Sequence, residues 1–138
     1  MAINKVGVLG AGTMGAGIAQ VCVEAGYTVV LVDIAENLVA NGYNGILKSW
    51  EKAVSKGKKA AEDVEKFKGA LSTAIDNNVF SDCDIVIEAI IENINIKQKV
   101  LKELTGIVGA DVILATNTSA LSITEIAAAT GRPDKVIG

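Results

Sequence analysis

Two hydrophobic patterns alternate along this chain. Short apolar runs of the kind that form buried strands are separated by longer stretches in which apolar residues recur every three or four positions, the period of a helix. Residues 5–9 read as a strand. Residues 15–25 read as a helix with Ile18, Ala19, Cys22 and Val23 near one face, and Gly26 just past its end as a C-cap. Residues 27–32 are nearly all apolar, as expected of a parallel strand covered on both sides. A long helix is predicted from Glu36 to about Lys56, carried by Leu38, Val39, Ile46, Leu47, Trp50 and Val54 and weakened locally by Gly42, Asn44 and Gly45. Residues 60–71 read as a second, more polar helix with Val64, Phe67 and Leu71 on one face.

This pair is longer than a usual single crossover, so it is expected to project as a helical hairpin inserted after the second strand. Residues 72–75 read as a short strand, 76–83 as a turn with one helical turn, and 84–90 as a clear strand. Residues 95–108 form a predicted helix with Ile96, Val100, Leu101, Leu104 and Val108 inward, followed by a strand at 112–117 and a polar turn at 118–120. Ser122 and Glu125 have capping-box spacing for a further helix. Residues 131–134 break the chain, and 135–138 open another strand.

Strands alternating with helices predict an α/β fold, a doubly wound, mostly parallel sheet of Rossmann-like type. Ligands bind such sheets beyond the carboxyl ends of the strands. Three segments are therefore expected to converge: the 10–15 loop, residues 89–92 and residues 117–119.

The first of these carries Gly10-Ala11-Gly12-Thr13-Met14-Gly15, a G-x-G-x-x-G motif. Alone it is a weak pattern, but here a strand precedes it, a helix follows, and Asp33 stands eighteen residues beyond Gly15 at the end of the second apolar run. Gly10 permits a tight turn, Gly12 lets a pyrophosphate approach the backbone, and Gly15 lets helix and strand pack closely. The helix N-terminus offers N–H groups to the phosphates. Asp33 suits a ribose 2′-hydroxyl and repels a 2′-phosphate, which favours NAD over NADP.

Composition narrows the function classes. The 138 residues suit one domain, and half of them are hydrophobic, enough for a sizeable core. A net charge of −3 argues against a nucleic-acid partner. No apolar run reaches the ~18 residues of a membrane span, and no secretory signal is apparent, so a soluble, cytoplasmic protein is expected. Cys22 and Cys83 have no metal-like spacing and read as buried free thiols. There is no histidine, the usual general base for moving a hydroxyl proton. Seven of the thirteen basic residues, Lys48, Lys52, Lys56, Lys58, Lys59, Lys66 and Lys68, lie on the predicted hairpin. They form either a solvated face or a surface for a phosphate-rich group.

With Asp33, the 10–20 segment, Val86-Ile-Glu-Ala-Ile-Ile-Glu92 and Asn117-Thr-Ser119 together, the chain resembles the NAD-binding domain of the L-3-hydroxyacyl-CoA dehydrogenases, the bacterial 3-hydroxybutyryl-CoA type in particular. The resemblance covers essentially all of residues 1–138. It implies hydride transfer between C3 of an acyl-CoA and NAD(H). Gly10, Ala11, Gly12, Thr13, Met14 and Gly15 would hold the pyrophosphate and Asp33 the adenine ribose. Ala89, Glu92, Lys97 and Asn117 would line the nicotinamide side. Ser119 would contact both nicotinamide and the reacting oxygen, and Ser49 and Lys56 would contact coenzyme A. Without the resemblance, the alternative for Glu92 and Lys97 is a surface pair near the start of a helix, and for Ser119 simple turn chemistry. Ala120 departs from the second serine many members carry there.

In that family a histidine-bearing segment and a helical second domain, with the dimer interface, follow the Val-Ile-Gly that ends this chain. The expectation is therefore a fragment of a stand-alone, homo-oligomeric enzyme, inactive by itself. Two alternatives from other classes remain: an NAD(H)-binding module without chemistry, and an adenosylmethionine-dependent methyltransferase, against which Thr13-Met14-Gly15 and residues 117–119 speak. A tyrosine-based short-chain reductase is disfavoured, since neither Tyr27 nor Tyr43 has a lysine four residues later.

Overall fold

The computed structural model describes residues 3–90, 93–116 and 136–137, the last two and Ile94 by backbone alone. The strands are β1 (Lys5–Leu9), β2 (Thr28–Val32), β3 (Leu71–Ala74), β4 (Ile85–Glu88), β5 (Ile113–Thr116) and β6 (Val136–Ile137). The helices are α1 (Thr13–Glu24), α2 (Glu36–Ser55), α3 (Ala61–Ala70) and α4 (Ile94–Thr105), with a 3-10 helix at Asn77–Asp82. The six strands lie in the order β3-β2-β1-β4-β5-β6, every neighbouring pair parallel. The order reverses at β1 and β4, and the crevice for a ligand opens at their carboxyl ends.

The strand side chains divide cleanly between two cores. On one face Val6, Val8, Val29 and Leu31 pack with Ala19 and Val23 of α1, Val39, Ile46 and Trp50 of α2, and Val64 of α3. On the other, Val30, Val32, Val86 and Leu114 pack with Phe80 of the 3-10 helix and Leu101 and Leu104 of α4. Valines 29, 30 and 32 and Leu31 are all buried, which accounts for the unbroken apolar run of β2. Gly26, with φ +103°, closes α1: its N–H and that of Tyr27 bond back to the carbonyls of Val23 and Cys22.

Several boundaries differ from the sequence reading. Helix α1 starts at Thr13, two residues before Gly15, because the glycine loop itself forms the first turn. Leu71 is the first residue of β3, not the last of α3, and it is buried there. Strand β4 ends at Glu88 and α4 at Thr105. Ile96 does not point inward; it is exposed at the mouth of the crevice. Nor does the hairpin stand free. Trp50 is fully buried, its ring 5.4 Å from that of Phe67, and its indole N–H reaches Glu24 of α1, which also pairs with Lys59. The tip, residues 55–58, is exposed.

Cys83 is buried as expected, and burial pushes its thiol up to about 11; Cys22 is only half-buried. Cys83 shares the space beneath Gly7 with Phe80, whose ring lies 2.4 Å from the position a Gly7 Cβ would take. Phe80 thus fills the gap left by a glycine in the central strand. Replacing it with alanine removes a fully buried ring and is expected to cost about 3–5 kcal/mol, read as a lowered urea midpoint at unchanged m-value.

Candidate functional site

The site is built at the turn from β1 into α1. Gly10 has φ +115°, and a Cβ there would lie 2.5 Å from the Ala89 carbonyl oxygen. Both its conformation and its neighbour demand glycine. A Cβ on Gly15 would stand 1.7 Å from the Gly10 carbonyl oxygen, so this residue sets how closely α1 approaches the strand. Gly12 is different. It has φ −71°, and nothing in the chain lies within 4 Å of where its Cβ would be. Neither conformation nor internal packing requires glycine there. The open space is what an external group approaching the backbone would occupy.

Gly12 is also the N-cap of α1. It supplies no side-chain cap, and the first turn carries no acidic residue. The amides of Thr13, Met14 and Gly15 lie within the first turn, where N–H groups have no carbonyl partner inside the helix. The Ala11 amide is taken up by Asp33: its Oδ2 accepts from Ala11 at 2.8 Å and its Oδ1 from Ile34 at 2.7 Å. Asp33 therefore clamps the loop, an interaction that spacing alone did not reveal. An ionised carboxylate retains further lone pairs for a diol.

Below this loop opens a cavity of about 1000 Å³, bounded by Gly10, Gly12, Asp33, Ala89 and Ile90 and by an apolar set of Ile34, Leu38, Ile75, Ile96 and Val100. Among the described residues its charged lining is Asp33, Asp76 and Glu103, all acidic. Exposed Ile34, Ile75 and Ile96 form surface suited to a flat, apolar ring. A second cavity of about 480 Å³ runs between α1 and α2, past Gly12, Thr13, Gly17 and Gly45 to Gln20. The Gln20 amide donates to the Ser49 hydroxyl at 3.0 Å. Gly42 lets α2 close on the loop, since a Cβ there would lie 2.6 Å from the Ala11 carbonyl oxygen.

The residues picked out from the sequence are thus partly assembled. Gly10 to Gly15, Asp33 and Ala89 meet at one strand end. Ser49 and the exposed Lys56 lie along α2, away from the main cavity. Glu92, Asn117 and Ser119, with residues 117–135 as a whole, lie outside the described residues. Lys97 is not at the surface: it is fully buried, its ammonium bonded to both carboxylate oxygens of Glu88 at 2.9 and 2.7 Å. Glu88 went unrecognised as a site residue. The clue was an acidic residue inside an apolar strand, where a lone charge cannot remain unpaired.

Among the described residues no group of side chains could hold a metal ion, and no helix is long and apolar enough to cross a membrane. The second and third glycines of the loop differ in what they must accommodate. Gly15→Ala is expected to lose about 2 kcal/mol or more by overpacking. Gly12→Ala should stay within about 1 kcal/mol, the difference between the two residues at an N-cap. Equilibrium unfolding of both variants checks the contrast.

Comparison with known proteins agrees with this geometry. The sequence family "3-hydroxyacyl-CoA dehydrogenase, NAD binding domain" matches residues 5–138. The 3-hydroxybutyryl-CoA dehydrogenase of Mycobacterium tuberculosis is 44% identical, over 99% of this chain and 48% of its own length. The mitochondrial hydroxyacyl-coenzyme A dehydrogenase of Rattus norvegicus is 43% identical, over 99% of this chain and 45% of its own. The crystal structure of (S)-3-hydroxybutyryl-CoA dehydrogenase from Ralstonia eutropha superposes with a TM-score of 0.95 at 41% identity, covering 98% of this chain and 48% of that one. The chain spans about half the length of these relatives. The matches support the dehydrogenase reading and not the methyltransferase alternative. With its parallel sheet, glycine turn and acidic clamp in place, this chain belongs to the NAD-binding domain family of the 3-hydroxyacyl-CoA dehydrogenases.

Proposed function

We propose that the chain is the cofactor-binding half of an enzyme that interconverts a 3-hydroxyacyl-CoA, 3-hydroxybutyryl-CoA in the first instance, and its 3-keto form. One observation carries the reading: Gly12 is open to solvent at an uncapped helix N-terminus, with Asp33 at the edge of the adjoining cavity. These features fit NAD, which supplies the hydride-accepting nicotinamide when bound. The amides from Gly12 to Gly15 suit the pyrophosphate. Asp33 suits the adenine ribose, and the isoleucine-rich cavity suits the adenine.

The remaining assignments follow the family resemblance. Ala89, Glu92, Lys97 and Asn117 serve the nicotinamide side, and Ser119 holds the reacting oxygen. Coenzyme A lies toward Ser49 and Lys56, a placement supported by the cavity between α1 and α2, which leads to the Gln20–Ser49 hydrogen bond. The chain has no histidine, so the group that moves the hydroxyl proton belongs to the rest of the enzyme. A cytoplasmic, homo-oligomeric whole enzyme belongs to the same proposal.

Fluorescence titration with NADH and NADPH tests the site. The unmodified chain is expected to bind NADH at least about tenfold more tightly, from carboxylate–phosphate repulsion near Asp33. Asp33→Ala should narrow that gap, and Gly12→Ala should weaken NADH by about tenfold or more by obstructing the pyrophosphate. Equal or tighter NADPH binding by the unmodified chain would overturn the role of Asp33.

A further inference from the structure

Glu88, Lys97 and Thr116 are the buried polar or charged side chains among the described residues, and they form one cluster. Glu88 ends β4, opposite Leu9 of β1 and Thr116 of β5. Its carboxylate accepts from the Lys97 ammonium at both oxygens, from the Thr116 hydroxyl, and from the backbone N–H of Ile90 at 2.7 Å. Lys97 belongs to the first turns of α4, immediately after Ile96. Residues 89, 90 and 96, which flank the pair in sequence, line the main cavity. The Ile90 amide ties the pair to that wall.

A buried ion pair is a poor way to stabilise a fold. Desolvation offsets most of the attraction, and well-packed apolar residues in its place are often as stable or more so. What the pair supplies is placement. Three donor groups, from α4, β5 and the chain after β4, make four hydrogen bonds to one carboxylate, and the Ile90 amide of the wall is one of them. The Ala89 carbonyl in turn packs where a Gly10 Cβ would be, and its amide bonds to Leu9.

We propose that Glu88 is a positioning residue for dinucleotide binding. Acting through Lys97 and the Ile90 amide, it fixes the wall that faces the glycine loop. The inference rests on the NAD-binding reading of this cavity. Charged groups near the pair on α4 are the exposed Lys99, Lys102 and Glu103; β5 contributes none, and Glu92 lies outside the described residues.

NADH titration, with thermal unfolding and the amide chemical shifts of Gly10, Ala89 and Ile90 alongside, tests it in the unmodified chain, Glu88→Gln and the milder Thr116→Val. Glu88→Gln removes the charged acceptor, and NADH affinity is expected to fall at least about tenfold, as for a lost bond to a charged group, with the Gly10, Ala89 and Ile90 amides displaced before ligand is added. Thr116→Val removes one donor and keeps the ion pair; it should fold, displace the same amides and weaken NADH by a few-fold. A folded Glu88→Gln or Thr116→Val with unchanged NADH affinity would overturn the proposal, as would weakened binding with the Gly10, Ala89 and Ile90 amides unmoved. Failure of the unmodified chain to bind NADH would instead overturn the NAD-binding reading itself.

Discussion

The place where a Gly15 side chain would begin is already filled by the carbonyl oxygen of Gly10. That one contact fixes the distance between β1 and α1, and the rest of the site is arranged around it. Gly10 can make the turn only with positive φ, and it brings the chain against Ala89 of the neighbouring strand end. Ala11 is then held twice, by the Asp33 carboxylate at its amide and by the close approach of Gly42 at its carbonyl. Gly12, the next residue, is left facing open space at the start of a helix. A packing constraint thus becomes a binding feature: the residues that must be tight place the one residue that must stay clear.

The electrostatics divide along the same line. Amides at the head of α1 provide positive potential without a lysine or arginine. Among the described residues the charged lining of the larger cavity is all carboxylate, an environment suited to a neutral nucleoside rather than to a further phosphate. The Glu88–Lys97 pair is fully buried and is tied to the cavity wall by the Ile90 amide.

Much of this was legible in the sequence, for identifiable reasons. The α2 helix was bounded to within a residue because Glu36 opens it and Gly57 closes it, with Val39, Ile46 and Trp50 at helical spacing between them. The glycine loop and Asp33 were readable because their spacing is set by local geometry, one strand, one turn and one helix. Contacts made at long range were not. Phe80 beneath Gly7, Gly42 against Ala11 and the Glu88–Lys97–Thr116 cluster join residues whose proximity depends on the finished sheet. Ile96 was misplaced for a related reason. It fits the apolar stripe of α4 by periodicity, yet it sits on the turn that overhangs the crevice, where an apolar residue faces a ligand instead of the core. The hairpin looked free-standing because its lysines are visible in sequence and the burial of Trp50 between α1 and α3 is not.

The central claim is that a dinucleotide pyrophosphate lies on the backbone from Gly12 to Gly15. Amide chemical shifts followed by NMR during titration with NADH, and separately with ADP-ribose, test it most directly. The amides of Gly12, Thr13, Met14 and Gly15 are expected to show the largest shifts with both ligands, alongside Asp33 and Ile34. Saturable binding that leaves these four amides unmoved, or that shifts the α2–α3 hairpin instead, would contradict it.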